Sequence, residues 1–114
     1  MRNDLHTPWS DECRLVRIST TKDAQGYEKS TPRGHRVVCT WEDGVSQSEF
    51  YTSNKAGFQA SASVEIWRAD MMDAWPRKYT GERFVDFRGR RYRVIRDFAS
   101  GFDTQTLILS EVIR

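Results

Sequence analysis

The sequence predicts an all-β domain: a small six-stranded β-barrel or sandwich with one short helix inserted between the second and third strands. Three observations predict it. Short stretches of β-branched, aromatic and aliphatic residues alternate with a two-residue period. Turn-forming residues punctuate them at close intervals. No segment has the strand–helix–strand spacing of a βαβ unit. At 114 residues the chain has the length of one domain. Its fourteen aromatics (Phe 6, Trp 4, Tyr 4) support a small core in a chain that is 38% hydrophobic and 30% charged.

Residues 1–11 are polar and carry no structure signal, so they read as a flexible N-terminal tether to a single domain over residues 12–114. Cys13–Ile18 and the following Thr20-Thr21 form a first strand. Lys22 to Arg36 holds Asp23, Gly26, Ser30, Pro32 and Gly34, a turn-rich stretch. In the second strand Val37, Cys39 and Trp41 share one face, with Arg36, Val38 and Thr40 on the other. Glu42-Asp43-Gly44 ends it. Ser46 and Glu49 then stand at the spacing of a capping box, where the serine caps a helix and the glutamate reaches back. Gly57 sits where a left-handed residue would terminate that helix, which spans Gln47–Ala56. A helix this short is marginal by itself, so it leans on its neighbours and can rearrange.

Ala62, Val64 and Ile66 alternate against Ser63, Glu65 and Trp67 in a third strand. Between Arg68 and Glu82 the pattern is mixed; Met71, Met72 and Trp75 fit a turn of helix confined by Pro76 and Gly81. Phe84–Phe87 and Arg91–Phe98 form a hairpin, its turn at Phe87-Arg88-Gly89-Arg90, where Gly89 supplies a positive φ. Gln105–Ile113 is the closing strand, with Leu107 and Leu109 on one face and Ile108 and Val112 on the other.

Composition narrows the function. No run approaches the roughly 18 apolar residues of a membrane span, and residues 1–20 lack a signal-peptide core. Neither membrane insertion nor secretion is expected. Cys13 and Cys39 belong to no C-x-x-C pair and read as buried free thiols. His6 and His35 have no acidic or cysteine partner at metal-ligand spacing, so no metal and no cofactor is expected. Nucleophile–base–acid sets, nucleotide-binding glycine loops and Gly-x-Ser-x-Gly are missing, which argues against an enzyme, with no catalytic residue. The net charge, +2, is too near balance for a polyanion trap. The charge is uneven, however. From Arg83 to Arg96 six arginines face one acid, Asp86. That run is either a solvated hairpin face or a surface for a partner or for phosphates.

The stretch from Val45 to Phe58 resembles the S-x-x-E-[FY]-[YF]-x-A-x-x-x-G element of the head-tail joining family of tailed phages, the head-closure or stopper proteins. Ser46, Glu49, Phe50, Tyr51 and Gly57 carry the match, and Ser53 replaces the family's alanine. The hairpin Phe84 to Ile95 is similar to the family's v-x-y-x-g-[kr]-x-[yf]-x-[vi] pattern. The opening strand with Asp23 to Tyr27 and the closing Leu107–Leu109 strand follow in family order, so the resemblance covers residues 12–112. Residues 68–82 are longer and richer in tryptophan and methionine than the family pattern.

The resemblance implies a virion protein at the head-tail interface, assembled in the host cytoplasm. It implies a homo-oligomeric ring, a dodecamer in the virion, with the isolated chain open to being a monomer. The ring would dock below the portal-bound adaptor and receive the tail-completion or tail-terminator protein beneath. It would hold packaged double-stranded DNA in its channel. Carried over, Val45 to Gln59 is the channel gate. Gln47, Ser48, Tyr51, Asn54 and Lys55 are then candidates for the lumen, and Ser46, Glu49, Phe50, Gly57 and Phe58 anchor the gate helix. Arg88, Arg90, Arg91 and Arg93 are candidates for subunit or adaptor contacts. The alternative is a small β-barrel nucleic-acid-binding module, with Trp41, Phe84, Phe87 and Tyr92 stacking on bases between arginines.

Overall fold

The computed structural model describes residues 11–44 and 59–112. Its strands are β1 (Asp11–Lys22), β2 (Glu28–Asp43), β3 (Ala62–Trp67), β4 (Arg83–Phe87), β5 (Arg90–Ala99) and β6 (Thr104–Glu111), with one helix, α1 (Arg68–Ala74), after β3. All pairings are antiparallel, and the sheet closes into a six-stranded barrel in the order β1-β2-β3-β6-β5-β4. The all-β barrel expected from the sequence is present. The proposed helix Gln47–Ala56 lies outside the described residues.

Alternation fills the interior. Cys13 and Leu15 of β1, Val37 and Cys39 of β2, Ala62, Val64 and Ile66 of β3, Val85 and Phe87 of β4, Tyr92 and Val94 of β5, and Leu107 and Leu109 of β6 form one buried cluster. Closure rests on a short seam, Arg14↔Asp86, Leu15↔Val85, Val16↔Phe84 and Arg17↔Arg83. Closure also gives the barrel two ends. At one, the β4–β5 turn meets the start of β1 and the end of β6; this is the turn end. The other, the helix end, is plugged by α1.

Three aromatics pack the turn end: Trp41 stacks on Phe87 with ring centroids 3.9 Å apart, and Tyr92 meets Trp41 edge-on at 5.0 Å. At the helix end, α1 has seven residues and no side-chain cap at its N-terminus, so packing and not propensity holds it. Ala74 and Trp75 are buried, and the Trp75 indole donates to the Val16 carbonyl at 3.0 Å. The tryptophan that made residues 68–82 look unusual is therefore the plug.

Two boundaries differ from the sequence reading. Asp11, assigned to the tether, already pairs with Cys39. The turn-rich stretch Lys22 to Arg36 is mostly strand, since β2 begins at Glu28 and the turn is confined to Asp23–Tyr27. Asp23 Oδ1 accepts from the Gln25 and Tyr27 amides at 2.9 Å each, and Gly26 takes φ +86°. Pro32 and Gly34 fit in β2 because β3 joins it only from Thr40 onward. Before that point β2 has β1 as its one partner among the described residues, and an edge tolerates a residue without an amide hydrogen.

Cys13 and Cys39 are buried free thiols. Hydrogen bonding to Cys39, then burial, hold the Cys13 thiol far above its usual range. The folded chain keeps this proton, whereas an unfolded cysteine loses it near about pH 8.5. The stabilisation is complete below that pH and is lost as pH rises above it, by about 1.4 kcal/mol per unit. Urea unfolding between neutral and alkaline pH should therefore show a falling stability, with a flatter decline in Cys13→Ala.

Candidate functional site

The turn joining β4 to β5 is two residues long, with φ +50° at Arg88 and +79° at Gly89. Both values suit the mirror-image turn that matches strand twist. Glycine or asparagine meets that geometry at the first position with less strain than arginine. The sequence nevertheless places an arginine there, with its guanidinium in solvent, 5.0 Å over the Phe87 ring and 3.7 Å from Asp11. The arginine is held there at a modest backbone cost.

Register brings further arginines to the same place. Arg14 of β1 and Arg36 of β2 are direct cross-strand partners, and Arg14 is also opposite Asp86 of β4. With Arg88, Arg90 and Arg91 they line a groove of about 650 Å³ on the turn end. Like charges directly opposite each other repel. The Arg14 guanidinium lies over Gly34, so close that a Cβ there would fall 2.3 Å from its Nη2; glycine at this position makes the room.

Three acids of the same groove neutralise part of this charge. Arg91 grips Asp86 with both arms, at 2.8 and 3.0 Å, and this hydrogen bonding raises the Arg91 pKa. Arg36 reaches Glu12 at 3.1 Å, and Arg90 stands 3.6 Å from Glu111. Arg93 lies outside the groove, 3.5 Å from Glu82. Arg91 and Arg93 both cover the Phe84 ring on the outer face of the barrel. The four hairpin arginines therefore have two duties. Arg91 and Arg93 shield Phe84, while Arg88 and Arg90 are exposed and hold their acids loosely.

Exposed pairs of this kind contribute little to stability and exchange partners readily. A carboxylate from another molecule could replace Asp11 or Glu111 at small cost. Burial, then the nearby Glu111 carboxylate, raises the pKa of the Tyr92 phenol. Among the described residues no three His, Cys, Asp or Glu side chains converge as a metal site would require.

Trp41 stacks on Phe87 and meets Tyr92 edge-on, and Phe84 lies under Arg91 and Arg93. Part of the aromatic surface that a base would need is thus occupied. The gate candidates Gln47, Ser48, Tyr51, Asn54 and Lys55, and the anchors Ser46, Glu49, Phe50, Gly57 and Phe58, all fall outside the described residues. Their attachment points do not. Asp43 and Ala62 are cross-strand partners, and the Gly44 amide donates to the Ser61 carbonyl at 2.9 Å. Ser61 in turn ties to β6: its amide donates to the Leu109 carbonyl, and its hydroxyl accepts from the Glu111 amide at 3.0 Å. Gly44 and Ser61, the described residues flanking that segment, are thus tied down at the turn end. Arg14 and Arg36 were not legible as members of this site. They lie far from the hairpin in sequence, and only register aligns them.

The fold defined by these observations is a closed six-stranded antiparallel barrel with a helical plug at one end and an arginine-lined groove at the other. Neither a family model nor a curated protein matches the sequence. Among solved structures the chain is similar to the solution structure of protein SF1141 from Shigella flexneri 2a, with a TM-score of 0.66 and 13% identity. The likeness covers 91% of this chain and 93% of that one. At that identity it shows the shared fold.

The Arg91–Asp86 pair should matter more to stability than the exposed Arg88–Asp11 contact. Asp86→Asn should lower the unfolding free energy in urea by about 1 kcal/mol, while Arg88→Gln should leave the midpoint unchanged.

Proposed function

We propose that this chain is a structural component of a phage neck. It forms a ring below the portal-bound adaptor, closes the DNA channel after packaging and presents a docking surface to the tail. The observation that carries this reading is the order of the family-like motifs on the barrel. Asp43 and Ala62, on either side of the capping-box motif in the sequence, are directly paired, and the arginine turn lies at that same end.

The physical argument is one of anchoring. A gate must hold against pressurised duplex and later move, so it wants a mobile element fastened at both feet to something rigid. Here the feet are Gly44 and Ser61, hydrogen-bonded to each other and, through Ser61, to β6. Blocking is steric. With a net charge of +2, the chain does not supply the dense phosphate contacts that would brake ejection. The lumen side of the gate is assigned to Gln47, Ser48, Tyr51, Asn54 and Lys55. Exposed Arg88 and Arg90 are assigned to carboxylates of a neighbouring subunit or of the adaptor, where guanidinium groups pair with good geometry. The protein acts without catalysis in this reading. Its place is the head-tail interface of the virion, and the host cytoplasm before assembly.

A phage carrying this gene with a stop codon at Gln47 tests the proposal by electron microscopy. The expected particles are emptied, tailless heads beside free finished tails. Filled, tailed virions would overturn it.

A further inference from the structure

At the helix end, three arginines stand in a row across three neighbouring strands. Arg17 of β1 is directly opposite Arg33 of β2 on one side and Arg83 of β4 on the other. Cross-strand partners point to the same face. By the two-residue period, Arg17 follows Cys13 and Leu15, Arg33 precedes Val37 and Cys39, and Arg83 precedes Val85 and Phe87. All three therefore continue the inward-facing rows to the mouth of the barrel. Adjacent strands lie about 4.8 Å apart, so the row concentrates positive charge at one spot.

Among the described residues the one ion pair in this row is that of Arg83, and its carboxylate partner is shared. Asp97 pairs with Arg83 and also accepts from the Gln105 side-chain amide at 3.1 Å. Arg83 is further committed by the Trp75 ring, 5.4 Å beneath it. The nearby Tyr79 hydroxyl has both of its roles filled, accepting from the Ile18 amide at 3.1 Å and donating to the Glu82 carbonyl. Arg17 is left over. Its Nε is buried with no hydrogen-bond partner. Neither Arg17 nor Arg33 has an ion pair among the described residues. A buried donor without an acceptor costs free energy, which a water, an ion or a ligand carboxylate would recover.

We infer that Arg17 and Arg33 form an oxyanion site at the helix end, whose ligand is a Glu or Asp side chain of a partner protein. A carboxylate accepts two parallel N–H bonds from one guanidinium, so it meets the Nε of Arg17 while Arg33 covers the remaining charge. One feature favours a protein carboxylate over a nucleic-acid phosphate. The same end carries exposed Trp67, Met72 and Phe102 beside Asp70 and Asp103. Apolar anchors among acids suit a protein interface and repel a phosphate backbone.

Arg68 of α1 donates to the carbonyls of Gly101, Phe102 and Thr104 and to Gln105 Oε1, tying down the backbone of the β5–β6 loop at Phe102, itself 94% exposed. An exposed aromatic on a tethered backbone suits an interface anchor. This interface is at the opposite end from the arginine groove and stands independently of the neck assignment.

The test is NMR observation of the Arg17 side-chain Nε–H in the full chain. Poly-glutamate peptide should move that resonance downfield, saturably, and Arg33→Gln should weaken the response about tenfold, the scale of one lost charge-assisted contact. Arg33 is exposed, so its substitution does not threaten folding. Failure of the peptide to move the resonance would overturn the site. A duplex DNA oligonucleotide that moves it where the peptide does not would overturn the protein-carboxylate assignment.

Discussion

Four residue pairs close this barrel, and the position of every other element follows from them. The β1–β4 seam sets Leu15 against Val85 inside and Val16 against Phe84 outside. Both faces of the seam are then covered. Inside, the two side chains are completely buried in the core. Outside, Arg91 and Arg93 lie over Phe84; from the plugged end, the Trp75 indole ties the plug to the Val16 backbone. An open six-stranded sheet would leave β1 and β4 as unpaired edges and lose the shared interior.

Closure also separates two chemistries. At the turn end it gathers Arg14 and Arg36 beside the β4–β5 turn and next to the feet of residues 45–58. At the helix end it aligns Arg33, Arg17 and Arg83. There a continuous polar chain runs from Arg83 through Asp97 and Gln105 to Arg68 and the carbonyls of the β5–β6 loop. This chain crosses four elements, so it links the plug, the loop and the barrel wall in one network. Beyond Arg17 the β1–β2 hairpin leaves the barrel, each of its strands having the other as its one partner among the described residues. A ribbon of two strands gains no core of its own.

Much of this was legible in the chain. Alternation at Val37-Cys39-Trp41, Ala62-Val64-Ile66 and Leu107-Leu109 named the interior faces directly, because half-buried strands impose that period. Gly89 marked the hairpin turn. The early part of β2 was not legible: Pro32 and Gly34 are turn residues by local chemistry, and only the lack of a second neighbouring strand makes them harmless. Trp75 read as an oddity for a similar reason, since a plug is defined by what it covers. The arginines divide the same way. The hairpin run stood out as a cluster in sequence, whereas Arg14 with Arg36, and Arg17 with Arg33, become neighbours only through a register that no local pattern encodes.

Hydrogen exchange tests most directly the claim that the seam is the keystone. The account predicts that backbone amides of residues 14–17 and 84–86 exchange only through global unfolding, with the full unfolding free energy, while those of residues 28–31 in the projecting ribbon exchange through local opening at much lower cost. Seam amides exchanging as fast as the ribbon's would contradict it, and would mean that the barrel opens along β1 and β4 without unfolding.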